Sequence, residues 1–128
     1  MVKKTISYTD FNGTARTEDH YFHISQAEMA EKEMSVNGGL TAMINRIVST
    51  QDMPEIMKLF KDFILDSYGV KSPDGKMFVK IDRDGHRLAD DFVQTEAYNQ
   101  LFIELIKDVN KASTFFNEII ESSKPATN

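Results

Sequence analysis

The sequence predicts a mainly α protein with a small β element: an N-terminal β-hairpin packed on a compact bundle of about five helices. Three observations carry this. An alternating Thr/Ile/Tyr-rich opening is followed by Asn12-Gly13, the strongest short hairpin signal. Apolar residues then recur at helical spacing in several capped segments. Finally, 41% hydrophobic and 27% charged residues over 128 positions place the chain among globular proteins with enough length for a real core.

The chain reads in order as follows. Lys3–Thr9 and Ala15–Ile24 form the hairpin. A two-residue Asn-Gly turn sets Ile6 opposite Asp19, and a longer loop gives other pairings. Ser25-Gln26-Ala27-Glu28 has the spacing of a capping box and opens a short helix, Gln26–Val36, which Asn37-Gly38-Gly39 ends. Leu40–Thr50 carries Leu40, Met43, Ile44, Ile47 and Val48 as a single stripe.

Pro54–Tyr68 shows the most helix signals. Pro54 suits the first turn, Asp52 is a candidate N-cap, and Gly69 is placed to end the helix in the left-handed conformation. Ser72-Pro73-Asp74-Gly75 reads as a β-turn, with a short strand over Lys76–Ile81. Asp82–Asp91 holds a turn at Asp84-Gly85 and one helical turn near Leu88–Phe92. Thr95 caps Glu96–Asp108, and Asn110 caps Lys111–Glu121, whose stripe is Ala112, Phe115, Phe116, Ile119 and Ile120. The expected organisation is one domain over 1–121 with a mobile polar tail at 122–128.

Two helices carry more apolar surface than one core face needs. On Pro54–Tyr68 the residues Ile56, Met57, Leu59, Phe60, Phe63, Ile64 and Tyr68 cover about 180°, against a little over ~100° for an ordinary surface helix. Leu65 lies beside the polar face. Glu96–Asp108 is similar, with Ile103 outside its main arc. A second neighbouring helix, a partner protein or another copy of the chain could cover the surplus. The edges of the arcs, Met57, Leu65, Tyr68 and Ile103, are the candidate contacts. Methionines at 29, 34, 43, 53, 57 and 77 read first as core filler and second as an adaptable surface.

Chemistry is conspicuously thin. A net charge of −5 argues against nucleic acid as a partner. No stretch is apolar for long enough to span a membrane, and the N-terminal lysines have no apolar segment behind them. The absence of cysteine excludes disulfides, thiolate zinc and cysteine catalysis, and agrees with a reducing cytoplasm. Asp82-Arg83-Asp84-Gly85 invites a calcium reading, but a loop with its Gly at position six would start at Lys80 and end at Asp91, which breaks the ligand pattern twice. His20, His23 and His86 do not converge, and no nucleotide-binding or nucleophile motif is present. No catalytic residue, cofactor or metal is expected.

Several stretches together resemble a known family: YTDFNGTARTEDHYFHIS running into AEMAEKEMSVNGGL, then IMKLFKDFILDSYGVKSPDGKMFVK, then FVQTEAYNQLFIEL. The most specific parts are YGVKSPDG, EMSVNGGL and QTEAY. The chain is similar, from about Lys4 to Ile120, to the small tail assembly chaperones of long-tailed bacteriophages and prophages of Gram-positive hosts. Asp82–His86 has no counterpart in the resemblance. The resemblance implies a mainly helical, non-enzymatic protein of the host cytoplasm. Such a protein binds the tape measure protein, with the tail tube protein as a second candidate partner, keeps the former soluble during assembly, and is absent from the virion. A structural protein of the head–tail connector or tail is the alternative.

Overall fold

A computed structural model of the chain describes residues 1–35, 42, 45, 46, 49 and 52–122. The architecture is mainly helical, with an antiparallel sheet built on the N-terminal hairpin. The described strands are β1 (Val2–Thr9), β2 (Ala15–Phe22), β3 (Tyr68–Lys71) and β4 (Phe78–Val79), in that spatial order. The described helices are α1 (Gln26–Ser35), α2 (Met53–Ser67), α3 (Leu88–Phe92), α4 (Glu96–Lys107) and α5 (Val109–Ser122). The expected Leu40–Thr50 helix and the Asn37-Gly38-Gly39 break fall largely outside the described residues, as do residues 123–128 of the expected tail; its first residue, Ser122, is the last of α5.

The hairpin takes the longer loop, and Ile6 pairs with Glu18 rather than Asp19. Asp10 is the cause. Its Oδ1 accepts from the backbone N–H of Asn12 and of Thr14, both at 2.9 Å, while Gly13 sits at φ 81°. A buried face decides the register, because a one-residue slip would turn Ile6 and Phe22 out to solvent. In the observed register the pairs Val2–Phe22, Lys4–His20 and Ile6–Glu18 share the inner face. Lys3, Thr5, Ser7 and Thr9 lie on the outer face and are exposed.

α2 begins as its residues suggest, with the Asp52 carboxylate accepting from Glu55 N–H at 3.3 Å and Pro54 in the first turn. Its end differs from the expectation. Gly69 is not left-handed and does not cap the helix; the chain passes from Ser67 directly into β3, with Tyr68 already extended. The buried Ser67 hydroxyl donates to Phe63 O at 2.8 Å, and Tyr68 N–H donates to Ile64 O. Ser67 O in turn accepts from His23 N–H at 2.8 Å, which ties the helix end to the β2 strand. Gly69 is needed for a different reason. A Cβ there would meet Phe78 Cε2 at 2.5 Å and Val79 O at 2.7 Å, so only glycine lets β4 lie this close.

The broad apolar arc of α2 is largely covered within the chain. Ile56, Leu59, Phe60, Phe63 and Ile64 are buried against α3, α4 and α5. The Phe60 and Phe63 rings lie 4.9 and 4.7 Å from Phe116 of α5. Thr95 caps α4 by accepting from Tyr98 N–H, and Ala97, Tyr98, Leu101 and Leu105 are buried as α4 packs over β1. α5 starts two residues earlier than Lys111. Asp108, and not Asn110, is the cap: its carboxylate accepts from Lys111 N–H and its carbonyl from Ala112 N–H. Aspartate and asparagine are equally good caps by type, so position relative to the preceding helix decides between them.

The sheet and helices meet in a run of aromatic rings. Phe22, fully buried, makes edge contacts with Tyr68, Phe92 and Phe115. Tyr68 stacks flat on Phe92 at 4.2 Å. His20 lies against the same Phe92 at 5.1 Å, with its Nε2 buried and lacking a hydrogen-bond partner among the described residues.

Two outcomes test this packing. Gly69→Ala should lower stability by about 1–3 kcal/mol, the range for overpacking, read as the urea midpoint; an unchanged midpoint would show that β4 can move away freely. Burial holds the His20 and His23 imidazoles below their ordinary range. The unfolded chain protonates near pH 6.5 while the folded chain resists. Stability present above that pH is therefore lost as pH falls below it. His20→Phe should shrink the loss measured by denaturation between about pH 7 and 5, and a loss equal to that of the unaltered protein would contradict the assignment.

Candidate docking surface

Ribbon β3–β4 is set by its turn. Ser72 N–H donates to Met77 O, Gly75 N–H donates to Ser72 O, and Gly75 takes φ 77°. The Asp74 carboxylate accepts from Lys76 N–H and from the Ser72 hydroxyl. These bonds hold the Asp74 carboxyl below its ordinary range, the Lys76 N–H contributing most. After β4 the chain folds back through Asp82–His86. There the Asp82 carboxylate accepts from the N–H of Asp84 and of His86, and Gly85 sits at φ 81°. This loop repeats the arrangement at Asp10–Thr14. Its acidic side chain serves its own backbone, which gives the Asp-rich turn a structural purpose. Among the described residues no group of three or more His, Asp or Glu is placed to hold a metal.

Lys80 anchors the ribbon to the helices. Its Nζ donates to Glu28 Oε2 at 2.8 Å and Oε1 at 3.0 Å, and to Asp66 O at 2.8 Å. Burial pushes the Glu28 carboxyl up, but Lys80 and the Ser25 cap outweigh it and hold the group below its ordinary range. Glu28 thereby serves two ends, closing the capping box with Ser25 N–H at 3.0 Å and pairing with the ribbon. Arg87 pairs with Asp66 at 3.0 Å. Between these elements lies a groove of about 350 Å³, lined by Leu65, Tyr68, Ile81 and Ala89 together with those charged groups.

The four sequence-predicted contacts separate. Leu65 and Tyr68 line this groove, and both also pack against the core. Ile103, 44% exposed, lines a second depression of about 440 Å³ between α4 and the β1 strand, beside Thr5 and Ser7. Lys4 and Lys111 close on Glu104 there at 3.1 and 2.7 Å, with Lys111 chiefly holding that carboxyl below its ordinary range. Met57, 38% exposed, lies in neither hollow.

Helical periodicity missed the most exposed apolar cluster. Val70, Met77 and Ile81 are 49%, 59% and 62% exposed. Val70 pairs with Val79, so these two share a face of the ribbon, and Met77 and Ile81 flank the short β4 strand. The available signal was the period-2 pattern Met77-Val79-Ile81 within the short strand expected over Lys76–Ile81, whose apolar side the helix arcs drew attention away from.

No helix among the described residues is long and apolar enough to cross a membrane. No curated protein and no solved structure matches the chain. The family model described as phage tail assembly chaperone matches residues 1–123, which spans every element from β1 to the end of α5. By that match the chain belongs to the phage tail assembly chaperone family.

Proposed function

We propose that this protein binds the tape measure protein of a phage tail and keeps it soluble while tail tube subunits assemble around it. Family membership over 1–123 is the observation that carries the reading. The surface supports it. A holder of a long helical client needs exposed apolar side chains and enough charge to remain in solution. Among the described residues eight large apolar ones stand at least 38% exposed, on a chain of net charge −5. The role calls for binding alone, so no catalytic group enters it. Work of this kind takes place in the host cytoplasm, ends before the virion is complete, and extends to the tail tube protein if the two clients are handed over together. Residues 1–121 act as one domain in this reading.

Met57, Leu65, Tyr68 and Ile103 are the proposed contacts on the helices. They differ in what else they support. Leu65 and Tyr68 have packing duties in the core, whereas Ile103 is nearly half exposed and stands outside the core cluster. Ile103→Asp should therefore leave stability within about 0.5 kcal/mol, as for other surface sites. Leu65→Asp should cost more than that.

Co-expression with the tape measure protein of the same phage is the test. The expected result is more soluble tape measure protein and its co-purification with this chain, both reduced by Ile103→Asp while that variant stays folded. A tape measure protein that remains insoluble and unbound beside the folded chain would contradict the function.

A further inference from the structure

We propose that Asn12 is a site of spontaneous succinimide chemistry that the hairpin loop holds shut, so that the folded chain keeps its asparagine and the unfolded chain loses it. The inference stands apart from what the protein binds.

The chemistry needs one pair of residues and one movement. The backbone nitrogen of the following residue attacks the carbonyl carbon of the asparagine side chain. A C–N bond forms, the side-chain nitrogen leaves as ammonia, and a cyclic imide remains. Water then opens the ring at either carbonyl, which yields aspartate or isoaspartate. Nothing is oxidised or reduced, and water is the sole co-reactant. The attacking nitrogen must give up its proton, and a glycine there brings no Cβ to block the approach. Asn12-Gly13 has the composition for this reaction. Asn12 is exposed, so burial does not keep water from it.

The loop withholds the nitrogen. Asp10 takes the N–H groups of three successive residues: its carboxylate accepts from Asn12 and from Thr14, each at 2.9 Å, and its carbonyl from Gly13 at 3.0 Å. A hydrogen bond made by the protonated form of a group disfavours loss of that proton. The Asp10 carboxylate also places a negative charge beside any amide anion that forms. That carboxylate is fixed in turn by Arg16 at 2.6 Å, which chiefly holds the Asp10 carboxyl below its ordinary range. With Gly13 at φ 81° and the N–H groups on either side bound, the Gly13 nitrogen has to break these bonds before it can swing onto the Asn12 side chain.

The two Asp-Gly turns at Asp74-Gly75 and Asp84-Gly85 are built alike. Gly75 N–H donates to Ser72 O at 2.9 Å and Gly85 N–H to Asp82 O at 3.0 Å. Their ionised carboxylates are poor targets for a nitrogen nucleophile, so Asn12 is where the protection is most open to measurement. The lesion also has a structural cost. Isoaspartate lengthens the loop backbone beside Asp10, and this loop sets the register that buries Ile6 and Phe22.

Peptide mapping by mass spectrometry in mildly alkaline buffer is the test. It separates Asn12 from Asn37-Gly38, the chain's other Asn-Gly pair, which lies outside the described residues. Deamidation at Asn12 should run at least about tenfold slower in the folded chain than in the same chain in urea, as for a reaction that waits on local opening. Asp10→Ala should speed it several-fold in a chain that circular dichroism shows to be folded. Asp10→Asn keeps an acceptor oxygen and should stay nearer the unaltered rate. Equal rates in the folded and unfolded chain would overturn the proposal, and that comparison needs no variant. So would a folded Asp10→Ala chain that deamidates no faster than the unaltered one.

Discussion

The passage from helix to strand at Ser67–Gly69 is the constraint on which most of the structure depends. No loop separates α2 from β3. The direction in which the helix ends therefore dictates where the sheet continues and where the ribbon projects. Three groups enforce it. Ser67 closes the helix with its hydroxyl and accepts from His23 with its carbonyl, joining α2 to β2. Tyr68 turns extended and stacks its ring on Phe92, joining β3 to α3. Gly69 removes the side chain that would hold β4 away. A bundle and a sheet that could slide past each other become one framework, from which the ribbon extends with its apolar face uncovered.

Much of this was legible in the sequence, and the failures have physical causes. The capping box at Ser25–Glu28, the Thr95 cap and the stripe from Ala112 to Ile120 are local patterns, and each is formed. Gly69 was misread because a glycine after a helix can relieve a left-handed turn or a close contact between strands. Only the partner strand, which begins nine residues on at Phe78, distinguishes the two. Asn110 and Asp108 compete for one cap, and the end of α4 settles it. The hairpin register depends on whether Asp10 contributes its carboxylate to the loop, which the Asn-Gly pair alone does not reveal. The surplus on α2 was correctly measured but mostly has an intramolecular cover, three helices and not one. Exposed apolar residues stand instead at Val70, Met77 and Ile81, around a strand expected over Lys76–Ile81 whose solvent-facing side chains were not singled out.

Polar chemistry in this protein is spent on geometry. Asp10 and Asp82 use the same device, a carboxylate receiving two N–H groups beside a left-handed glycine, to reverse the chain at opposite ends of the β element. Glu28 and Lys80 join the first helix to the ribbon, and Lys4 and Lys111 meet on Glu104 to join the edge strand to α4 and α5. Groups committed in this way stabilise a shape. Among the described residues apolar surface stays exposed at the ribbon, at Met57 and at Ile103.

Hydrogen–deuterium exchange of the folded chain with and without a phage tape measure protein bears most directly on this account. Binding should slow exchange in α2 and α4, the helices that carry the proposed contacts Met57, Leu65 and Ile103, and at Tyr68 beside α2. Unchanged exchange in both helices, with protection confined to other elements, would contradict the proposed contacts.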